Sequence, residues 1–74
     1  MNEGRESKIC KHFGSTLEKI RKDKNLSLRQ LAAETGIDHA HIARMEGGEV
    51  NPTLVTIILL AEALDIDPCQ LIRK

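Results

Sequence analysis

At 74 residues the chain has room for one domain, near the lower size at which a single apolar core is stable without metal, disulfide or partner. Eleven basic and eleven acidic residues cancel, which removes the simplest electrostatic argument for a nucleic-acid partner. Phe13 is the only aromatic, so the core must come from Leu, Ile, Val, Ala and Met, a composition that favours helix and predicts an all-α fold.

The charges are unevenly spread. Residues 1–29 hold eight basic and four acidic side chains, a net of +4, and residues 30–74 therefore carry −4. Cys10 and Cys69 form no C-x-x-C pair, and the opening "MNEGRESK" is polar and unlike a signal peptide, which implies a reduced, cytoplasmic protein. The longest apolar run, "TLVTIILLAEAL", is broken by Glu62 and is too short to span a bilayer, so it reads as a buried helix.

Residues 1–7 are expected to be a frayed tail and 8–74 a single domain. Ile9, Phe13, Leu17 and Ile20 recur at helical spacing from about Lys8 and define a first amphipathic helix that ends at "KDKN", with Asn25 as terminator. Ser27 is placed as the N-cap of a second helix, with Gln30 as its capping-box partner, Leu28, Leu31 and Ala32 inward, and Gly36 as the stop. Asp38 should cap a third helix through His39, Ile42, Arg44 and Met45 to Gly47-Gly48. Asn51 or Thr53 caps a fourth, Leu54 to Leu64, with Pro52 in an early position; it is apolar nearly all round and should be central. A short fifth helix follows, with Asp67 as cap, Pro68 at its first position, and Leu71 and Ile72 packing inward or against a partner.

Between Leu28 and Met45 the pattern is helix, glycine corner, helix, with apolar Leu31, Ile37, Ile42 and Met45 and small Ala32 in register. This is the spacing of a helix-turn-helix. With the flanking stretches "LEKIRKDKNLS", "LAAETGI", "IARMEGGEVNPTL" and "TIILLAEALDIDPCQL", the sequence from Phe13 to Ile72 resembles the phage repressor and Cro type of helix-turn-helix, the xenobiotic-response-element family. In length and layout it is also similar to small stand-alone regulators such as restriction-modification controller proteins.

The resemblance implies a compact five-helix, lambda-repressor-like DNA-binding domain with the motif at helices two and three. The third helix, at 38–46, would lie in the major groove with His39, Ala40 and Arg44 towards base edges. Arg44 is the chief candidate, since its fork matches O6 and N7 of guanine, and Ala40 suits a thymine methyl. Ser27, Arg29, Gln30, His41 and Gly47 would contact or brace against the phosphate backbone. Arg21 and Glu46 fall where the family pairs an arginine of the first helix with a glutamate ending the third. Leu28, Ala40, Gly47 and Glu49 depart from the family pattern, each where many members place a polar or basic contact. Val55 and Leu59, one turn apart where relatives carry polar residues, together with Ile66, Leu71 and Ile72 form the expected interface of a two-fold homodimer on a palindromic operator.

His39 and His41 lie two apart on a helix, roughly 200° around the axis, and cannot share an ion, so no metal or other cofactor is expected. Neither a phosphate loop nor a nucleophile elbow is present, which points away from an enzyme, and no small-molecule effector domain is expected. The reading is a sequence-specific regulator of duplex DNA from a prokaryote or phage. The alternative is a protein-interaction or antitoxin-type module of the same fold, which zero net charge, Leu28 and Ala40 favour.

Overall fold

The first helix is the longest element because 3–23 contain no proline and the inward row repeats every three or four residues. The computed structural model describes residues 3–73. Within them lie five helices and no strand: α1 (Glu3–Asp23), α2 (Leu28–Thr35), α3 (His39–Glu46), α4 (Leu54–Leu64) and α5 (Cys69–Ile72). The expected start near Lys8 is corrected by a full turn, since residues 3–7 are helical. Arg5 and Glu6 are good helix formers that offset Gly4, and acidic Glu6 suits the positive end of the helix dipole. Residues 1 and 2 of the expected tail lie outside the described residues.

One apolar cluster joins all five helices. Phe13 and Leu17 of α1, Leu31 of α2, Ile42 and Met45 of α3, Leu60, Ala61 and Leu64 of α4, and Leu71 of α5 are nearly or fully excluded from solvent. Each large side chain so placed is worth about 1.5–3 kcal/mol of burial, set against the entropy of ordering the chain. Half-buried Ile20, Leu28, Ala32, Ile37, Val50 and Ile66 close its edges. In α1 the inward row passes through Cys10 and not Ile9, which is 54% exposed where α1 outruns its neighbours.

Local chemistry sets most boundaries. After α1, Asn25 takes a left-handed φ of 60°, a conformation that asparagine tolerates better than most residues. Thr53 caps α4, its hydroxyl accepting from Thr56 N–H at 3.1 Å, so Pro52 precedes the cap and Asn51 is not the cap. At α5 the Asp67 carboxylate accepts from Cys69 N–H at 2.9 Å, and Gln70 Oε1 accepts from Asp67 N–H at 3.1 Å. Asp67 thus performs the expected capping.

Two expectations about the last third of the chain are corrected. α4 is not enclosed: Leu60, Ala61 and Leu64 are buried, whereas Leu54 and Val55 are 73% and 67% exposed. The four other helices do not supply enough surface to surround it. Cysteine is among the residue types expected to be most buried, yet Cys69 is exposed, whereas Cys10 is buried; both are free thiols.

Gly14 sets the distance between α1 and α3, because a Cβ there would collide with the Met45 carbonyl oxygen and lie 2.5 Å from that of Glu46. Those are backbone atoms and cannot swing aside. Gly14→Ala is therefore expected to destabilise the domain by about 1–3 kcal/mol, read as a lower thermal midpoint. A second expectation concerns acid. The hydrogen bond from Cys69 N–H holds the Asp67 carboxyl below the usual carboxylate range. Its contribution is thus present above the unfolded value and lost as pH falls through the lower folded one. Asp67→Ala should lower stability at neutral pH, with the gap to wild type narrowing below about pH 4 in denaturant titrations.

Candidate nucleic-acid interface

The α2–α3 pair is fixed at both ends and at its corner. Ser27 Oγ accepts from Gln30 N–H at 3.0 Å while Gln30 Oε1 accepts from Ser27 N–H at 2.7 Å, completing the capping box. That bond orients the Gln30 amide at the exposed start of α2, beside exposed Arg29. At the corner, Gly36 is left-handed at φ 77° and its N–H reaches Ala32 O at 2.8 Å. Thr35 secures the same corner. Its hydroxyl donates to Leu31 O at 2.9 Å and accepts from Ile37 N–H at 3.1 Å. Sequence reasoning passed over Thr35, although a Thr before a helix-ending Gly is a local signal for a turn of this kind.

α3 is anchored by Ile42 and Met45, both fully buried. At roughly 100° per residue, Ala40 lies nearly opposite that buried pair, Arg44 about 50° from the outward direction and His39 about 90° from it. Ala40 and Arg44 are exposed, and His39 is half-buried. His41, also exposed, lies on the other flank, and Gly47 follows the helix on its outer side. The three expected readers therefore share one accessible side of a short, well-anchored helix. Asp38 occupies the N-cap position but makes no capping bond; its Oδ1 lies 3.5 Å from His39 Nδ1.

The angle of α3 against α1 rests on Arg21 and Glu46. Arg21 Nε donates to Glu46 Oε2 at 2.6 Å and Nη2 to Oε1 at 3.0 Å, a two-pronged pair with side chains 9% and 6% exposed. Arg21 Nη1 also donates to Leu26 O at 2.8 Å, so one guanidinium ties α1, the α1–α2 turn and the end of α3 together. The bond to Glu46 raises the Arg21 pKa above its ordinary value, against the opposing effect of burial. This contrasts with the exposed Glu18–Lys22 pair, 3.3 Å apart on the surface of α1, which contributes little.

A second surface lies on α4. Val55 and Leu59 are exposed on the side away from Leu60, Ala61 and Leu64, Ile58 is exposed at the edge of that side, and Leu54, seven residues before Ala61 and on nearly the same side as it, is exposed in the first turn of α4. Leu54 and Ile58 were missed in the sequence, where an all-apolar helix conceals which side is covered. Ile72 is 56% exposed and Ile66 half-buried. Leu71 is fully buried inside its own protomer and is removed from the expected interface, because it closes the core beneath α1. Among the described residues no group of three or more His, Cys, Asp or Glu could hold a metal ion, and no helix is long and apolar enough to cross a membrane.

An all-helical chain with a capped helix, a glycine corner and an exposed second helix has the form of a helix-turn-helix protein. The helix-turn-helix family profile HTH_3 matches residues 17–71, and the chain belongs to that family. It is 31% identical over 62 residues to an uncharacterised HTH-type transcriptional regulator of Sinorhizobium fredii, y4dJ, covering 84% of this chain and 80% of that one. It is 42% identical over 55 residues to the HTH-type transcriptional repressor RghR of Bacillus subtilis, where the match covers 73% of this chain and 41% of the relative. Among solved structures, the restriction-modification controller protein C.AhdI of Aeromonas hydrophila superposes with a TM-score of 0.82 at 40% identity, covering 84% of this chain and 94% of that one. An HTH_3 family transcriptional regulator from Vibrio cholerae superposes at 0.85 with 27% identity, over 89% of this chain and 37% of that one.

Arg21→Ala is expected to destabilise the domain by about 3 kcal/mol, because it strands the buried Glu46 carboxylate. A denaturant titration checks this. The double variant Arg21→Ala, Glu46→Ala should recover part of the loss.

Proposed function

We propose that the chain regulates transcription by binding a specific duplex DNA sequence, with α3 in the major groove. The observation that carries this is the exposure of Ala40 and Arg44, with His39 beside them, on a helix whose inward side is buried and whose end is clamped by Arg21 and Glu46. Relatives named as HTH-type transcriptional regulators, and the likeness to a controller protein, support the same function.

Arg44 supplies the bidentate contact to guanine, worth about 1–3 kcal/mol of discrimination, and Ala40 a contact suited to a thymine methyl. Arg29, Ser27 and Gln30 at the start of α2 meet phosphate, as do His41 and the backbone at Gly47. Because few cations face the DNA, one protomer binds weakly. Two copies joined through the α4 face at Val55 and Leu59, with Leu54 and Ile58 beside them, compensate and read a palindrome whose half-sites lie about 34 Å apart. Ile66 and Ile72 border that contact.

Selection from random duplex DNA at about physiological salt tests the reading, since non-specific phosphate contacts are already weakened there. An enriched inverted repeat is the expected outcome; no enrichment by folded protein would return the same fold to a protein-interaction role. On the enriched site, Arg44→Ala should weaken binding by about tenfold or more and relax one base position while leaving the thermal midpoint unchanged. Val55→Asp with Leu59→Asp should give a folded monomer in sedimentation, with operator affinity reduced and the inverted repeat no longer favoured over a single half-site.

A further inference from the structure

Asp38 stands where a helix cap belongs, yet its carboxylate is turned elsewhere. At the start of α3 the N–H groups of His41 and Ile42 donate to the Asp38 backbone carbonyl, at 3.0 and 3.1 Å. The Asp38 side chain makes no capping bond, and its Oδ1 lies 3.5 Å from Nδ1 of His39, the first residue of the helix. Ring and carboxylate are both accessible, with the His39 side chain 41% and the Asp38 side chain 71% exposed.

The pair lines one shallow depression over the helix-turn-helix corner, together with small Ala32, Ala33 and Gly36. Arg29 lines it from α2, so Asp38 and Arg29 are the charged groups that share it with the His39 ring. A lone carboxylate at this end of α3 would repel the phosphates that Arg29 meets on DNA. Beside a protonated ring it is neutralised.

Histidine is the side chain that ordinarily changes charge between about pH 5 and 8, and which nitrogen of its neutral ring carries hydrogen depends on the partner each nitrogen has. Beside a carboxylate Nδ1 keeps its hydrogen, and Nε2, on the opposite edge of the ring, is left for DNA. Nε2 then donates when the ring is charged and accepts when it is neutral. In the major groove guanine offers two acceptors, O6 and N7, whereas adenine and cytosine each present an exocyclic amine as donor. We infer that Asp38 is a positioning residue for base reading: it fixes the His39 ring so that Nε2 selects guanine in acid and a base with an exocyclic amine in alkali. This role rests on the DNA binding proposed above, and it explains why a residue at the cap position leaves the cap unmade.

The test repeats the selection from random duplex DNA at about pH 6 and about pH 8, at one ionic strength, with circular dichroism verifying that each variant is folded. The position that His39 reads is the one whose preference is lost in His39→Ala. For wild type that position should favour guanine at the lower pH and adenine or cytosine at the higher, and affinity for the guanine site should fall by about fivefold or more between the two. Asp38→Ala frees the neutral ring to carry its hydrogen on Nε2, so guanine should be kept at both pH values. His39→Gln has a donor and an acceptor but no titrating group, and should keep one preference throughout. Base preference is the readout because protonation of His41 beside phosphate would strengthen all sequences alike. A repeat with the same bases at both pH values overturns the inference and leaves the DNA reading standing. So does an Asp38→Ala variant whose preference still switches, or a His39→Ala variant that loses no preference. Folded protein that enriches nothing at either pH overturns both.

Discussion

The geometry of the exposed side of α3 depends on one buried ion pair. Arg21 reaches Glu46 with two nitrogens and the Leu26 carbonyl with a third, so a single planar group fixes the end of α3, the body of α1 and the turn that launches α2. Desolvating two charges is costly, and a buried pair is weak evidence of net stability. Its value here is orientational. An apolar pair of similar bulk could fill the space, but it would not set the direction of α3 through three directed bonds. Arginine suits the position because its rigid fork matches the carboxylate and retains a donor for the carbonyl.

Around that clamp the helix-turn-helix is held by small local devices, each cheap and each directional. The Ser27–Gln30 capping box starts α2, Gly36 turns the corner, and the Thr35 hydroxyl fastens the carbonyl of Leu31 to the N–H of Ile37 across it. Close backbone approach at Gly14 lets α1 reach the carbonyls at the end of α3. Ile42 and Met45 then commit one side of α3 to the core, which leaves Ala40 and Arg44 outward. Those two exposed side chains carry little of the packing.

The chain's charge balance assumes a different meaning once it is folded. Zero net charge argues against nucleic acid only if charge is spread evenly, and Arg29 and Arg44 act locally within about a Debye length of a surface. α1 carries much of the basic excess, with Lys8, Lys19 and Lys22 exposed along it.

The amino-acid sequence determined the elements that rest on short-range chemistry. The Ser27 cap, the Gly36 corner, the Asp67 cap and the span of α4 are legible because each depends on a few consecutive residues and a fixed backbone geometry. The Arg21–Glu46 pair was legible through resemblance alone, as nothing within 25 residues of chain says that those two side chains meet. Tertiary structure decided burial. Leu71 and Ile72 are adjacent and similar, yet one is sealed in the core and the other is 56% exposed, while Ile9 yields the inward position to Cys10. Periodicity reports that a helix has an apolar side. Which part of that side is covered depends on neighbours brought from elsewhere in the chain, and on how much surface five helices can hide.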